Sequence, residues 1–181
     1  HTRRQDYTYG RRGTPSSRAF ETAVAELEGG HDCKATPSGL AAISTALLAF
    51  LDSGDHLLMV DTVYHPARLF CDSVLKRMGI ETTYYDPVIG KGIAALIKPN
   101  THVVYCESPG SQTMEVQDVP AIAEAAHAAG AVVILDNTWG AGHYFKAFDK
   151  GCDVSIQAAT KYLVGHSDAM LGTVTCNAAT W

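Results

Sequence analysis

Short apolar runs at about 33–36, 56–61, 80–85, 102–107, 131–136, 153–157 and 170–176 alternate with helical patterns at about 16–28, 39–51, 66–78, 93–98 and 120–129. This rhythm limits the fold more than any other feature of the chain. Strands separated by helices are joined by crossovers, and crossovers place strands parallel in a sheet covered on both faces. The expected fold class is therefore α/β, a doubly wound, mostly parallel seven-stranded sheet. Boundary residues agree with this reading. Thr14-Pro15 and Val119-Pro120 put Pro at a first helical position, Ser38 can cap the run that follows it, and Gly29, Gly79 and Gly130 stand where helices stop. A ligand of such a sheet is expected at the carboxyl ends of its strands.

Composition narrows the classes of function. At 181 residues and 46% hydrophobic, the chain has enough apolar surface for the core of one domain. A net charge of −5 and only two short arginine pairs, Arg3-Arg4 and Arg11-Arg12, argue against nucleic acid or an anionic membrane as partner. No apolar run has the length of a membrane span. The five cysteines are widely spaced without a C-x-x-C pair, as in a cytoplasmic protein with reduced thiols. The eight histidines form no ligand pattern, so no metal site is expected. Dinucleotide and nucleotide-triphosphate glycine loops and the G-x-S-x-G nucleophile motif are absent. The first residue is not Met, which reads as a segment of a longer protein.

The candidate site lies where strands end. The run Ala131-Val132-Val133-Ile134-Leu135 ends in Asp136, and the run 154–159 ends in Thr160-Lys161. A partly desolvated lysine condenses with aldehydes, and a buried aspartate keeps a pyridine nitrogen protonated so that the ring accepts electrons. Together they point to pyridoxal 5′-phosphate. Ser38-Gly39-Leu40 opens an alanine-rich helix whose free amides and positive dipole end suit the phosphate. Tyr64, just past another strand, offers a flat face for the ring. Tyr9 and Arg11 precede the first helix, and an arginine fork is a usual phosphate partner.

Tyr9-Gly10-Arg11-Arg12-Gly13-Thr14-Pro15, Glu26-Leu27-Glu28-Gly29-Gly30, Ser38-Gly39, Glu107-Ser108-Pro109-Gly110-Ser111, Asp136-Asn137-Thr138-Trp139 and the block 159–168 around Thr160-Lys161-Tyr162 occur in order along the chain. With these blocks it resembles the Cys/Met-metabolism (transsulfuration) family of fold-type I pyridoxal-phosphate enzymes. The resemblance implies that Lys161 carries the cofactor and moves substrate protons, Asp136 pairs with the pyridine nitrogen and Tyr64 stacks on the ring. Gly39, Leu40 and the Thr160 hydroxyl would hold the phosphate. Tyr9 and Arg11 would reach the neighbouring subunit's site from an arm spanning 1–14, with 15–181 as the cofactor domain of a homodimer or homotetramer. Tyr64 and Tyr9 would tune proton transfers.

Ala158 and Ser111 stand where many relatives carry Ser and Asn, a pattern of the β-lyase branch. That branch implies cleavage of L-cystathionine to homocysteine, pyruvate and ammonia in methionine biosynthesis. A γ-acting relative and a truncated, non-catalytic cofactor-binding segment are the alternative readings. The family chain is about twice as long, and its smaller C-terminal domain supplies the arginine that clamps the substrate carboxylate. The 181 residues alone are therefore expected to be poorly active.

Overall fold

The computed structural model describes residues 7–181; Arg3 and Arg4 lie outside the described residues. The elements follow the order α1 (Pro15–Glu28), β1 (Asp32–Thr36), α2 (Gly39–Phe50), β2 (His56–Val60), α3 (His65–Phe70), β3 (Glu81–Tyr85), β4 (Thr101–Glu107), α4 (Val119–Ala128), β5 (Val132–Asp136), β6 (Val154–Gln157) and β7 (Gly172–Cys176). The seven strands form one sheet in the order β1-β7-β6-β5-β4-β2-β3.

Four pairings, β2 with β3, β2 with β4, β4 with β5 and β5 with β6, are parallel. Strand β7 runs against both its neighbours, β1 and β6. The connection from β6 to β7 contains no helix, so it turns the chain back instead of carrying it over the sheet. Every residue of β2, β6 and β7 is buried, as in a sheet covered on both faces. Removing the apolar side chains among them from water is the main stabilising term, at about 25 cal/mol per Å².

Local chemistry sets the helix ends. Thr14 Oγ1 accepts from Ser17 N at 3.2 Å while Thr14 N donates to Ser17 Oγ at 2.9 Å, with Pro15 opening α1. Gly29 ends α1 with φ 77°, a left-handed conformation that glycine adopts without a Cβ penalty. Ser38 Oγ accepts from Ala41 N at 3.1 Å at the start of α2.

Two predicted helices differ from the single-sequence reading. The stretch 66–78 is helical but not uniformly so, because Cys71–Leu75 is a π-helix following α3. There the Ser73 hydroxyl bonds the Leu69 carbonyl, the acceptor an α-helical ladder would give to the backbone. The stretch 93–98 is instead a 3₁₀ helix over Gly90–Leu96. Gly90 and Gly92 favour the helix poorly, and Pro99 pushes Lys98 out of helical geometry. Among the described residues no helix is long and apolar enough to cross a membrane.

Candidate active site

The parallel strands bring five chain segments to one edge of the sheet. Ser38, Gly39 and Leu40 follow β1; Tyr64 follows β2; Glu107 and Ser111 lie at and after the end of β4. Asp136, Thr138 and Trp139 come from β5 and its loop, and Ala158, Thr160 and Lys161 from the loop after β6. Together with Ile43 and Met170 they line a cavity of about 370 Å³.

Asp136 is the last residue of β5 and is 7% exposed. Its Oδ1 accepts from Thr138 N at 3.0 Å and from Thr138 Oγ1 at 2.6 Å. The same Thr138 oxygen accepts from Ala158 N at 2.8 Å, so one hydroxyl ties the Asp136 loop to the Lys161 loop. Glu107 stands opposite Asp136 in the parallel register and is 4% exposed. Its carboxylate accepts from Tyr64 N at 2.8 Å and from Ser111 Oγ at 2.5 Å.

Burial holds both carboxyls above their ordinary range, and the Asp136 charge raises Glu107 further, to about 7. The Lys161 ammonium opposes the shift at each. Two buried acids that resist ionisation form a site with an unmet demand for positive charge, which a protonated pyridine nitrogen satisfies.

The start of α2, which also lines the cavity, suits an anion. The Ser38 hydroxyl and carbonyl engage Ala41 N and Ala42 N, so the first amides of the twelve-residue α2, at Gly39 and Leu40, have no acceptor within the helix. A Cβ at Gly39 would stand 2.7 Å from Ala158 Cβ, so glycine lets the helix start abut the Lys161 loop. The donor set, the charge demand and the half-exposed Tyr64 ring, at 43%, fit pyridoxal phosphate.

The sequence-predicted residues Lys161, Asp136, Tyr64, Gly39, Leu40 and Thr160 all line this cavity. Thr160 differs in detail from expectation. Its Oγ1 donates to Leu171 O at 3.0 Å and accepts from Leu171 N at 2.9 Å, so its proton is committed to β7's approach and must rotate to serve a phosphate. Tyr9 and Arg11 do not line the cavity; they lie at the short 3₁₀ turn Gly10–Arg12, with the Arg11 guanidinium 5.1 Å from the Tyr9 ring centroid.

Glu107, Thr138, Ser111 and Trp139 were not singled out as site residues from the residue pattern. Glu107 had a usable signal, because it ends an apolar run, Val103-Val104-Tyr105-Cys106, just as Asp136 ends its own.

The whole chain, residues 1–181, matches the family profile described as Cys/Met metabolism PLP-dependent enzyme. A protein named putative cystathionine beta-lyase from Rhizobium johnstonii is 53% identical over 99% of this chain and 46% of its own length. Cystathionine beta-lyase MetC of Escherichia coli is 53% identical over 96% of this chain and 44% of its own. The crystal structure of cystathionine gamma-lyase from Lactobacillus plantarum complexed with L-serine superposes with a TM-score of 0.94 at 34% identity, over 99% of this chain and 47% of that one. The chain thus spans under half the length of these relatives. With a profile match along its full extent, the chain belongs to the Cys/Met-metabolism family of pyridoxal-phosphate-dependent enzymes.

Proposed function

We propose that the full-length protein is a carbon–sulfur β-lyase that uses pyridoxal 5′-phosphate to cleave L-cystathionine to homocysteine, pyruvate and ammonia. The carrying observation is that Lys161, Asp136 and Tyr64 meet in one cavity of a chain 53% identical to proteins named cystathionine beta-lyase. The γ-acting reading has weaker support, since the γ-lyase of known structure shares 34%.

When bound, the cofactor supplies an electron sink next to the substrate Cα. Asp136, buried and braced by Thr138, holds the proton at the pyridine nitrogen that makes the sink effective. Lys161 Nζ would hold the cofactor at its aldehyde and would be the base that takes the substrate Cα proton. The Tyr64 ring bounds one face of the cavity and orients what lies against it. Gly39 and Leu40 amides, at the positive end of α2, orient the phosphate and fix the distance from it to Lys161. The Thr160 hydroxyl joins them after rotating away from Leu171. Residues 15–181 act as the cofactor domain. Tyr9 and Arg11, on an arm spanning 1–14, serve the site of a second subunit in a homodimer or homotetramer, which is compatible with their lying outside their own chain's cavity. The protein works in the cytoplasm, where its five free buried cysteines stay reduced. Its partners are small thioether amino acids, not nucleic acid or membranes.

Incubating the full-length protein with pyridoxal phosphate and L-cystathionine and identifying the keto acid tests the proposal. Pyruvate with homocysteine is expected. α-Ketobutyrate would establish the γ-acting reading, and cofactor binding without any turnover the non-catalytic one.

A further inference from the structure

Tyr64 is the N-cap of α3, yet its side chain caps nothing; its ring is free to face the cavity because the backbone is held from elsewhere. That hold comes from Glu107. Both of its carboxylate oxygens are engaged, Oε2 by Tyr64 N and Oε1 by the Ser111 hydroxyl. Glu107 is in turn fixed from behind, since its own N–H donates to Gln117 Oε1 at 3.0 Å and Gln117 Nε2 donates to Tyr85 Oη at 3.1 Å. The Tyr85 hydroxyl closes the chain by donating to the Tyr105 carbonyl at 2.9 Å. A rigid relay therefore runs from β3 and β4 to the cavity wall.

The loop carrying Ser111 is pinned to the same turn. Ser111 N donates to Thr62 O at 2.9 Å, and Gly110 packs so closely on the Thr62 side chain that a Cβ there would collide with it. The turn at 61–64 and the loop at 108–111 are thus tied together, and the Glu107 carboxyl, at the end of the strand that also faces Asp136, is hydrogen-bonded to both.

We propose that Glu107 is the positioning residue of this site, setting the plane of the Tyr64 ring through the Tyr64 backbone N–H and bracing the adjoining 108–111 loop through Ser111. The proposal rests on the reading of Tyr64 as the ring-stacking face. It assigns Glu107 no proton transfer and no direct bond to substrate. A buried carboxylate accepts from both loops at once, whereas Gln accepts at one oxygen only and can keep Ser111 only through a reversed bond, its amide donating to the hydroxyl, with the charge assistance gone from both contacts.

The test uses the full-length protein, pyridoxal phosphate as probe, and Glu107→Gln. Expected are a cofactor Kd raised about tenfold, or ~1.4 kcal/mol, a visible circular-dichroism band weakened per bound cofactor, and a smaller drop in thermal midpoint than a core deletion gives. Acting through the ring, the substitution should change the cofactor Kd less than about threefold in a Tyr64→Ala background. Ser111→Ala, which leaves the carboxylate and removes one brace, should weaken the same dichroism band in the same direction and serves if Glu107→Gln fails to fold. A Glu107→Gln protein with an unchanged Kd and dichroism band overturns the proposal, whether or not its thermal midpoint falls. So does a tenfold loss that persists undiminished without the Tyr64 ring. Failure of the unaltered protein to bind pyridoxal phosphate would instead refute the functional reading on which the inference rests.

Discussion

Gly39→Ala puts a methyl group where the start of α2 meets the Lys161 loop, 2.7 Å from Ala158 Cβ and 3.0 Å from Ala158 Cα. Carbon atoms in contact prefer about 3.5–4.0 Å, so the helix start and the loop must separate by most of an ångström. Overpacking of this kind costs about 1–3 kcal/mol, offset by up to about 1 kcal/mol of improved helix propensity. The net is about 1–2 kcal/mol, which lowers the melting temperature of a full-length protein of about twice this size by less than roughly 2–4 °C per kcal/mol. The separation also draws the Gly39 and Leu40 amides away from the cavity, so affinity for pyridoxal phosphate falls with stability.

Ala158→Gly relocates the problem. Alone it costs about 0.5–1 kcal/mol of added chain entropy; in combination with Gly39→Ala it removes the closest contact. The double variant is therefore expected to be more stable than the sum of the two single effects by about 1 kcal/mol or more. Thermal unfolding of the four proteins, each full length, measures the coupling. Additive effects within about 0.3 kcal/mol would show that the helix start and the loop do not touch as described and would refute the reasoning.

Glu28, fully buried at the end of α1, accepts from Asn137 Nδ2 at 3.2 Å, Ser155 Oγ at 3.0 Å and Gln157 Nε2. Glu28→Ala strands three buried donors and is expected to cost about 3 kcal/mol or more in urea unfolding; a cost below about 1 kcal/mol would mean that water satisfies them. Burial raises the Glu107 carboxyl from 4.5 to about 7, so its contribution to stability is full below pH 4.5 and is lost as pH rises through about 7. The cofactor-free protein should therefore lose more stability between pH 5 and 8 than its Glu107→Gln variant, and parallel pH profiles would contradict the assignment. Tyr64→Phe keeps the ring and the backbone bond to Glu107, so turnover should slow more than cofactor binding weakens; equilibrium titration and steady-state rates distinguish the two, and the reverse order would exclude a proton-transfer role for the hydroxyl.

Much of the site was legible because its residues end strands. Asp136 and Lys161 follow apolar runs, Gly39 opens a helix, and parallel strands necessarily gather such residues at one edge. What escaped the sequence depends on partners distant along the chain. Glu107 declares itself only when β4 pairs with β5 and sets it beside Asp136, and the engagement of Thr160 with Leu171 depends on β7 returning beside the loop. The direction of β7 was equally hidden, since an apolar run carries no sign of which way its strand points. The π turn at Cys71–Leu75, where the Ser73 hydroxyl bonds the Leu69 carbonyl, is a detail finer than hydrophobic periodicity can register.

The most direct test loads the full-length protein with pyridoxal phosphate, reduces it with borohydride and locates the phosphopyridoxyl group by peptide mass spectrometry. The group is predicted on Lys161 Nζ. A stoichiometric label on another lysine, or a coenzyme-saturated protein whose Lys161 peptide stays unmodified, would contradict it.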